Sequence, residues 1–474
     1  MPPSGHRRRR SPHPVTGGDR VNVVIVGAGP AGLAAAEHAL RAGAQVTVLD
    51  QAETPGGQYH RMLPEAYAAK RPDRIQHGRA DFDRRRRILA HPRCRWWPGS
   101  TVWAFDRAEK RVHILRGPSD GSGRRRPTLT PDALILATGA HDRTLPFPGW
   151  ELPGVYTAGA AQALAKGERV AIGGRVLVAG AGPFLLPVAE SLLGVGAEVV
   201  AVLEANPAST VRKGWSARPW RLAAHAGKAG ELVRYAATLA RHRVPYRMGR
   251  AVIEARGADR VREVVTAKVR ADWSVVAGTE RAYEVDAVCV GHGFSPQPEL
   301  AVAAGCVLDD GFVRVDAAQQ TTVDGVFAAG EITGIGGAVT AAAEGAVAGR
   351  AAAGGTPDGA LLRARDRARA FADRLAAAHP IGPAWRSWLR EDTIVCRCEE
   401  TTYGELTRAA GDESCPGPHA LKLGTRAGLG PCQGRICGPA VSELCGGGAE
   451  RHHRPIVQPI RLGELATRTE GEPE

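Results

Sequence analysis

Val21-Asn22-Val23-Val24-Ile25-Val26, followed by Gly27-Ala28-Gly29-Pro30-Ala31-Gly32, decides how the rest of this chain is read. An apolar run of strand length enters a G-x-G-x-x-G turn, and an alanine-rich helical run, Leu33 to Leu40, leaves it. A second short apolar run, Gln45 to Leu49, ends on Asp50. Gly27 permits the tight turn, Gly29 lets backbone approach a pyrophosphate, and Gly32 lets helix and strand pack closely. The helix N-terminus adds N–H donors and positive potential. Asp50 stands where ribose hydroxyls need an acceptor. Strand, turn, helix, strand and acid in this order predict a dinucleotide-binding β-α-β unit.

A second unit follows the same plan: Arg175–Ala179, Gly180-Ala181-Gly182-Pro183-Phe184-Leu185, Val188–Leu193, Glu198–Leu203 and the acid Glu204. Leu185 replaces the third glycine, which should push the helix off the strand and change where a pyrophosphate could sit. Glu204 favours NAD over NADP. Three outcomes stay open for this domain: NAD(P), another adenine nucleotide, or no nucleotide. Between the units lie strand-like runs (Arg95–Phe105, Arg111–Leu115, Ala133–Ala137). After Val285–Val290, the residues Gly291, Gly293, Pro296 and Pro298 suggest a crossing back to the first domain, completed by Gly325–Ala329 and a helix from Val339 to about Ala353. The predicted fold is α/β, with two Rossmann-like dinucleotide-binding domains and a small α-helical C-terminal domain.

Two further signals choose FAD for the first domain. Pro55-Gly56-Gly57-Gln58 places a glycine pair just past the ribose acid. Ala137-Thr138-Gly139-Ala140 and Ala328-Ala329-Gly330-Glu331 each end a hydrophobic strand. These runs resemble signatures of FAD-dependent pyridine-nucleotide oxidoreductases. The resemblance implies FAD contacts at Gly57, Gln58, Thr138, Gly139, Gly330 and Glu331, the last replacing the family's usual Asp at the flavin ribityl chain. Residues 51–60 and 151–288 contain no Cys, which excludes the redox dithiol of disulfide reductases. Electrons must leave by another route.

Six of the nine cysteines crowd between Cys396 and Cys445. Cys396-Arg397-Cys398 and Cys432-Gln433-Gly434-Arg435-Ile436-Cys437 form C-x-C…C-x4-C, four thiolates in two pairs. That set suits tetrahedral zinc or a [2Fe–2S] cluster. C-x-C is too tight for the common zinc knuckle, and Gly428, Gly430, Gly434 and Gly438 would let backbone N–H groups approach sulfides, so iron is favoured. Pro431 and Cys432 look like the start of a short helix. Cys415 and Cys445 read as spare thiols, and Cys94, Cys289 and Cys306 as small buried residues.

Together with Lys422 and Thr425-Arg426-Ala427-Gly428, these cysteines resemble the bacterioferritin-associated ferredoxin domain, which binds one [2Fe–2S] cluster; the C-x4-C spacing departs from that domain's C-x-x-C. The run His141-Asp142-Arg143 to Trp150, then Leu152-Pro153-Gly154-Val155 and Thr157 to Gln162, is also informative. With it, roughly residues 21–465 resemble the large flavin subunit of heteromeric amino-acid or amine dehydrogenases: opine oxidase, D-hydroxyproline dehydrogenase and hydrogen cyanide synthase. The resemblance implies FAD and a [2Fe–2S] cluster held by Cys396, Cys398, Cys432 and Cys437. It also implies a partner flavoprotein of the sarcosine-oxidase or D-amino-acid-oxidase type, with room for a small ferredoxin-like subunit. The partner would oxidise the amino or imino acid and this chain would relay the electrons. No residue here is assigned to take a proton from substrate. Two rival readings are a self-sufficient NAD(P)H:acceptor oxidoreductase and a non-catalytic iron–sulfur sensor or iron-handling protein.

Composition sets the outer bounds. The 474 residues are 43% hydrophobic, 23% charged and only 5% aromatic, with 59 Gly, a balance that suits two or three globular domains and excludes wholesale disorder. The net charge of +13 does not mark a nucleic-acid binder: residues 1–20 hold five Arg and one Asp, and the remaining excess sits in short runs without interleaved aromatics. No long apolar run predicts a membrane span, and a cytoplasmic location is expected. The expected organisation is a disordered basic tail (1–20), FAD domain (21–150 and 296–353) and second nucleotide domain (151–295). A linker with an amphipathic helix (354–389), a [2Fe–2S] domain (390–447) and a C-terminal strap (448–474) complete it. The Arg residues of the linker helix read as a solvated face.

Overall fold

The computed structural model describes residues 20–63, 78–119, 121–216, 226–412, 417–446 and 456–466; residues 1–19 of the basic tail, Cys415 and most of the C-terminal strap lie outside them. Two five-stranded parallel sheets carry the fold. In the first, the strands Val326–Ala328, Ala133–Leu136, Asn22–Val26, Gln45–Leu49 and Cys94–Trp97 lie in that order. In the second the order is Tyr246–Met248, Glu198–Glu204, Arg175–Gly180, Ala287–Gly291 and Val155–Thr157. Parallel strands are covered on both faces, which is why these segments read as unbroken apolar runs rather than alternating ones. Val23, Val24 and Ile25 are fully buried, as are Val176, Leu177 and Val178.

The helix Pro30–Arg41 packs against the helix Gly337–Ala352 through small residues. A Cβ on Gly345 would stand 2.0 Å from the Ala31 carbonyl oxygen, and one on Gly349 would stand 2.1 Å from that of Ala35. Glycine at 345 and 349 is therefore a condition of the fit. The chain passes between the two sheets through Ala140–Asp142 and returns through Phe294–Pro296, and these two short strands pair antiparallel.

The long helix Gly359–Ala378 is capped by Asp358, whose carboxylate accepts from the Ala360 and Leu361 N–H groups. Its Arg residues are not all solvated, contrary to the sequence expectation. Arg365 is 6% exposed and bonds the Ala317 carbonyl, while Arg369 bonds Glu344 and Gln319. A charge pattern alone does not distinguish a wet face from one that pairs with buried acceptors.

The cysteine-rich module has a small core of Val395, Leu406, Leu421 and Ala427. Its helix Tyr403–Ala410 begins with a capping box between Thr402 and Glu405. The helix expected at Pro431 is a correction. Residues 431–437 form consecutive turns, and the helix is Gly438–Leu444. Gln433 and Gly434 take φ of +53° and +80°, and two successive left-handed residues cannot belong to a right-handed helix. Near the C-terminus, the Val457 N–H bonds the Trp103 carbonyl, and Arg124 makes a two-pronged bond to Glu464. Among the described residues no helix is long and apolar enough to cross a membrane.

Candidate functional site

The first glycine turn is open. Gly27, Gly29 and Pro30 are part-exposed, and the helix starts at Pro30, the fourth position of the fingerprint. A Cβ on Gly29 would meet only the Gly57 Cα at 3.8 Å, whereas one on Gly27 would stand 2.2 Å from the Ala137 carbonyl oxygen and one on Gly32 1.8 Å from that of Gly27. Gly27 and Gly32 are thus glycine for internal fit, and Gly29 borders free space. Asp50 is part-exposed and accepts from Ala28 N–H at 2.6 Å and Ala52 N–H at 2.8 Å, while burial pushes its carboxyl above the usual range. The Gly56 N–H bonds the Ala28 carbonyl, which brings Gly57 against Gly29. Gln58 is exposed, its side-chain oxygen bonded by Arg61. This half of the turn fits a pyrophosphate over bare backbone with a ribose at Asp50.

The other two segments read from the sequence lie beside it. The Thr138 hydroxyl donates to the Gln297 carbonyl at 2.7 Å, so it ties the outgoing chain to the returning one, and Gly139 has φ of +74°. Gly330, at φ +84°, packs on Ala31, where its Cβ would come within 2.9 Å of the Ala31 Cβ. Glu331 accepts from Gly337 N–H at 2.9 Å, and burial raises its pKa. A residue the sequence did not point to holds this turn. Glu344, 2% exposed, accepts from Gly330 N–H at 2.8 Å and the Thr333 hydroxyl at 2.7 Å through one oxygen, and from Arg369 Nε at 2.6 Å through the other. Arg369 also reaches Gln319, whose amide donates to the Ala328 carbonyl. A lone acid in an alanine-rich helix was the available signal.

The second glycine turn is closed. Gly180, Ala181 and Gly182 are buried or nearly so, and the helix begins at Leu185, two positions later than its counterpart in the first unit. Glu204 is 0% exposed. Its Oε2 accepts from Gly182 N–H at 2.7 Å and lies 3.1 Å from His379 Nδ1; its Oε1 accepts from the Asn206 N–H and side-chain amide at 3.0 and 2.8 Å. The Trp273 and Trp388 rings stack nearby at 5.9 Å, with Trp385 1% exposed beside them. His292 is buried against Trp273, and burial lowers its pKa to about 3.

Cys396, Cys398, Cys432 and Cys437 line one cavity of about 200 Å³, with Trp150, Tyr156 and Val290 on its other wall. Cys437 hydrogen-bonds Cys396, and Cys398 hydrogen-bonds Cys432. The Cys396 thiol is pulled down to about 5, chiefly by the bond from Cys437, with further help from the Gly428, Glu399 and Cys398 N–H groups; Cys437 is raised by the same bond. Among the described residues no group of three or more His, Cys, Asp and Glu converges on a single metal ion. Two thiol pairs are what a two-iron cluster with four thiolates requires. The glycine at 430 is forced, since a Cβ there would stand 2.2 Å from the Cys398 Cβ. Cys445 is half-buried at the edge of the module core, and burial raises its pKa.

The module sits across the strands that join the two sheets. His141 Nε2 lies 2.8 Å from the Arg435 carbonyl, Thr144 donates to the Ile436 carbonyl at 2.9 Å, and Arg143 pairs with Glu443. Trp150 Nε1 donates to the Ile394 carbonyl at 2.5 Å, and the Arg397 guanidinium covers the Trp150 ring at 5.1 Å.

Residues 21–345 match the pyridine nucleotide-disulphide oxidoreductase family, and residues 394–445 match the BFD-like [2Fe-2S] binding domain. The chain is 32% identical to an opine oxidase subunit from Rhizobium meliloti, covering 94% of this chain and 87% of the relative. It is 30% identical to hydrogen cyanide synthase subunit HcnB of Pseudomonas aeruginosa, covering 92% and 95%. Among solved structures, L-proline dehydrogenase from P. horikoshii shares the fold with a TM-score of 0.63 at 19% identity, covering 94% of this chain and 79% of that one.

Proposed function

Because the chain belongs to the pyridine nucleotide-disulphide oxidoreductase family and carries a BFD-like [2Fe–2S] binding domain, we propose that it is the electron-relaying subunit of an amino-acid or imino-acid dehydrogenase. In this reading a partner flavoprotein subunit of the sarcosine-oxidase or D-amino-acid-oxidase type breaks the substrate C–H bond next to nitrogen. This chain takes up the electrons and delivers them to an acceptor. FAD, when bound, supplies storage for an electron pair, and a [2Fe–2S] cluster supplies one-electron transfer.

The chain's own residues have the corresponding tasks. Gly29 would leave room for the pyrophosphate, Asp50 would accept from the ribose, and Glu331 would serve the ribityl chain. Cys396, Cys398, Cys432 and Cys437 hold the cluster as two pairs. The observation that carries the reading is the seating of the four-thiol module on the crossing strands, through His141, Thr144 and Trp150. That placement sets the four thiols against the segment that joins the two nucleotide folds, in a chain without a dithiol beside the flavin turn. Relatives that are subunits of an opine oxidase and a hydrogen cyanide synthase agree with a partner-dependent enzyme.

The test is dye reduction by the isolated chain and by the chain co-expressed with a sarcosine-oxidase-like partner subunit, over a panel of amino, imino and opine-type acids plus NADH and NADPH. Turnover of an amino or imino acid is expected only with the partner. Robust turnover of NADH or of an amino acid by this chain alone would overturn the assignment.

A further inference from the structure

We propose that residues 379–389 are the resident occupant of the second nucleotide fold, closing it against nicotinamide and other adenine nucleotides, so that this chain has one nucleotide site and not two. The inference builds on the relay reading above by naming what keeps NAD(P)H from being the electron donor. Its test reads binding rather than turnover, so the two can fail separately.

A dinucleotide fold holds its ligand at two points: the acid at the end of the second strand, which takes the adenosine ribose, and the turn N–H groups, which take the pyrophosphate. Here both points are used internally, and on each other. The Gly182 N–H, which a phosphate would need, donates to Glu204 at 2.7 Å. Glu204 in turn accepts from both nitrogens of Asn206 and lies against His379 Nδ1 at 3.1 Å. The His379 ring thus stands against the carboxylate where a ribose hydroxyl would. His379 comes directly after the helix Gly359–Ala378, 175 residues from Glu204, and only 9% of its side chain is exposed.

The following residues are fixed in place. A Cβ on Gly382 would stand 2.4 Å from the Trp273 ring, so this backbone runs flat against the indole. The Ala384 N–H donates to the Asp272 carbonyl at 2.9 Å, and Trp388 Nε1 donates to the Trp273 carbonyl at 3.1 Å. Trp273 Nε1 points to the Asn206 side-chain oxygen at 3.4 Å, which links the stacked indoles to the acid. The segment then continues through Arg390, paired with Glu254 at 3.0 Å, into the cysteine module. It is therefore held from both ends. A nucleotide would have to unseat this segment first, and a site open only one time in a hundred has its affinity weakened about 100-fold.

The measurement is equilibrium dialysis of the FAD-loaded full chain with NADH, NADPH and ATP. The wild-type chain should show no saturable binding below about 1 mM, the weak edge of ordinary cofactor and substrate sites. Two variants open the segment from different sides. His379→Ala removes the ring from Glu204. Gly214→Val acts from outside the site, because a Cβ at Gly214 would lie 2.3 Å from the Ala378 Cα and so must push the helix end away. At least one variant that keeps its FAD should gain binding by about 10-fold or more, and Glu204→Ala in the same background should cancel the gain. Wild-type binding tighter than about 1 mM that Glu204→Ala abolishes would overturn the proposal, as would FAD-loaded variants that gain nothing. Hydrogen exchange on the wild-type chain is independent of variant folding: residues 379–389 should be protected and stay so in about 1 mM NADH. Loss of that protection on adding NADH would also overturn it.

Discussion

The two glycine turns begin alike, Gly27-Ala28-Gly29-Pro30 and Gly180-Ala181-Gly182-Pro183, and end in opposite states. Each follows a buried parallel strand, and each has an acid at the end of the next strand. In the first, the helix starts at Pro30, Gly29 is part-exposed where Gly182 is buried, and Asp50 keeps part of its surface in solvent. In the second, Leu185 fills the position of Gly32, the helix starts two positions later, and Glu204 is sealed under four hydrogen bonds. One side-chain difference matters beyond the glycine. Glu204 is a methylene longer than Asp50. It reaches the N–H of the third turn residue, Gly182, where Asp50 reaches that of the second, Ala28. A fingerprint thus reports a fold; whether the fold is a site depends on what else the chain lays over it.

The largest expected effect lies at paired glycines. Gly29→Val should reduce FAD affinity by at least two orders of magnitude, about 3 kcal/mol, because its branches would occupy the open volume beside Gly29 that a pyrophosphate needs. Gly182→Val, at φ +96°, should lower stability and leave FAD content unchanged. Absorbance per purified chain decides this. A flavin-free Gly182→Val beside a flavin-replete Gly29→Val would reverse the assignment of the two turns.

The next concerns where electrons leave if only the first turn holds a cofactor. Wild-type chain purified without oxygen should contain about two iron and two sulfide, and Cys398→Ser or Cys432→Ser should bring both below about one. Cys445→Ser should leave both in place, since Cys445 belongs to the module core and not to the lined cavity. Stoichiometric zinc without iron would remove the relay.

A smaller effect is expected at the strut behind the first turn. Arg369→Met leaves Glu344 buried with one oxygen unpaired. Breaking one side of a buried pair costs about 3–5 kcal/mol, which the part-exposure of Arg369 reduces to about 2–3 here. Thermal denaturation should show the loss, and FAD should dissociate faster because Gly330 and Thr333 share that carboxylate. Unchanged FAD release with a lowered melting temperature would limit Arg369 to a structural role.

How much of this was legible follows from range along the chain. The first β-α-β unit is local, so strand, turn, helix and acid were all written in 30 consecutive residues, 21–50. The two sheets and the four-cysteine grouping were legible for a related reason, since spacing and apolar runs carry them. The closure of the second turn was not, because it is made by His379, 175 residues away, and by tryptophans that no periodicity connects to Glu204. Leu185 gave warning that the turn was altered but could not say what filled it. The missed helix start at Pro431 failed differently: proline is compatible with a first helical turn, and only the left-handed pair Gln433 and Gly434 shows that none begins there.

The finest test exchanges each acid for its amide. Asp50→Asn keeps one oxygen for the Ala28 N–H but presents a donor or a weaker acceptor to a ribose, so FAD affinity should fall about 10-fold, close to 1.4 kcal/mol, with little change in melting temperature. Glu204→Gln meets a different environment. Oε2 faces the Gly182 N–H and Oε1 faces two donors from Asn206, so whichever end becomes NH2 confronts hydrogens with hydrogens. That mismatch, in a position with no access to water, should cost about 1–2 kcal/mol of stability and change neither FAD content nor any nucleotide response. The pair of measurements is flavin affinity and thermal melting on both variants. Asp50 should move the first and Glu204 the second; if Glu204→Gln instead shifted the binding of an added nucleotide, the second turn would have to be counted as a working site after all.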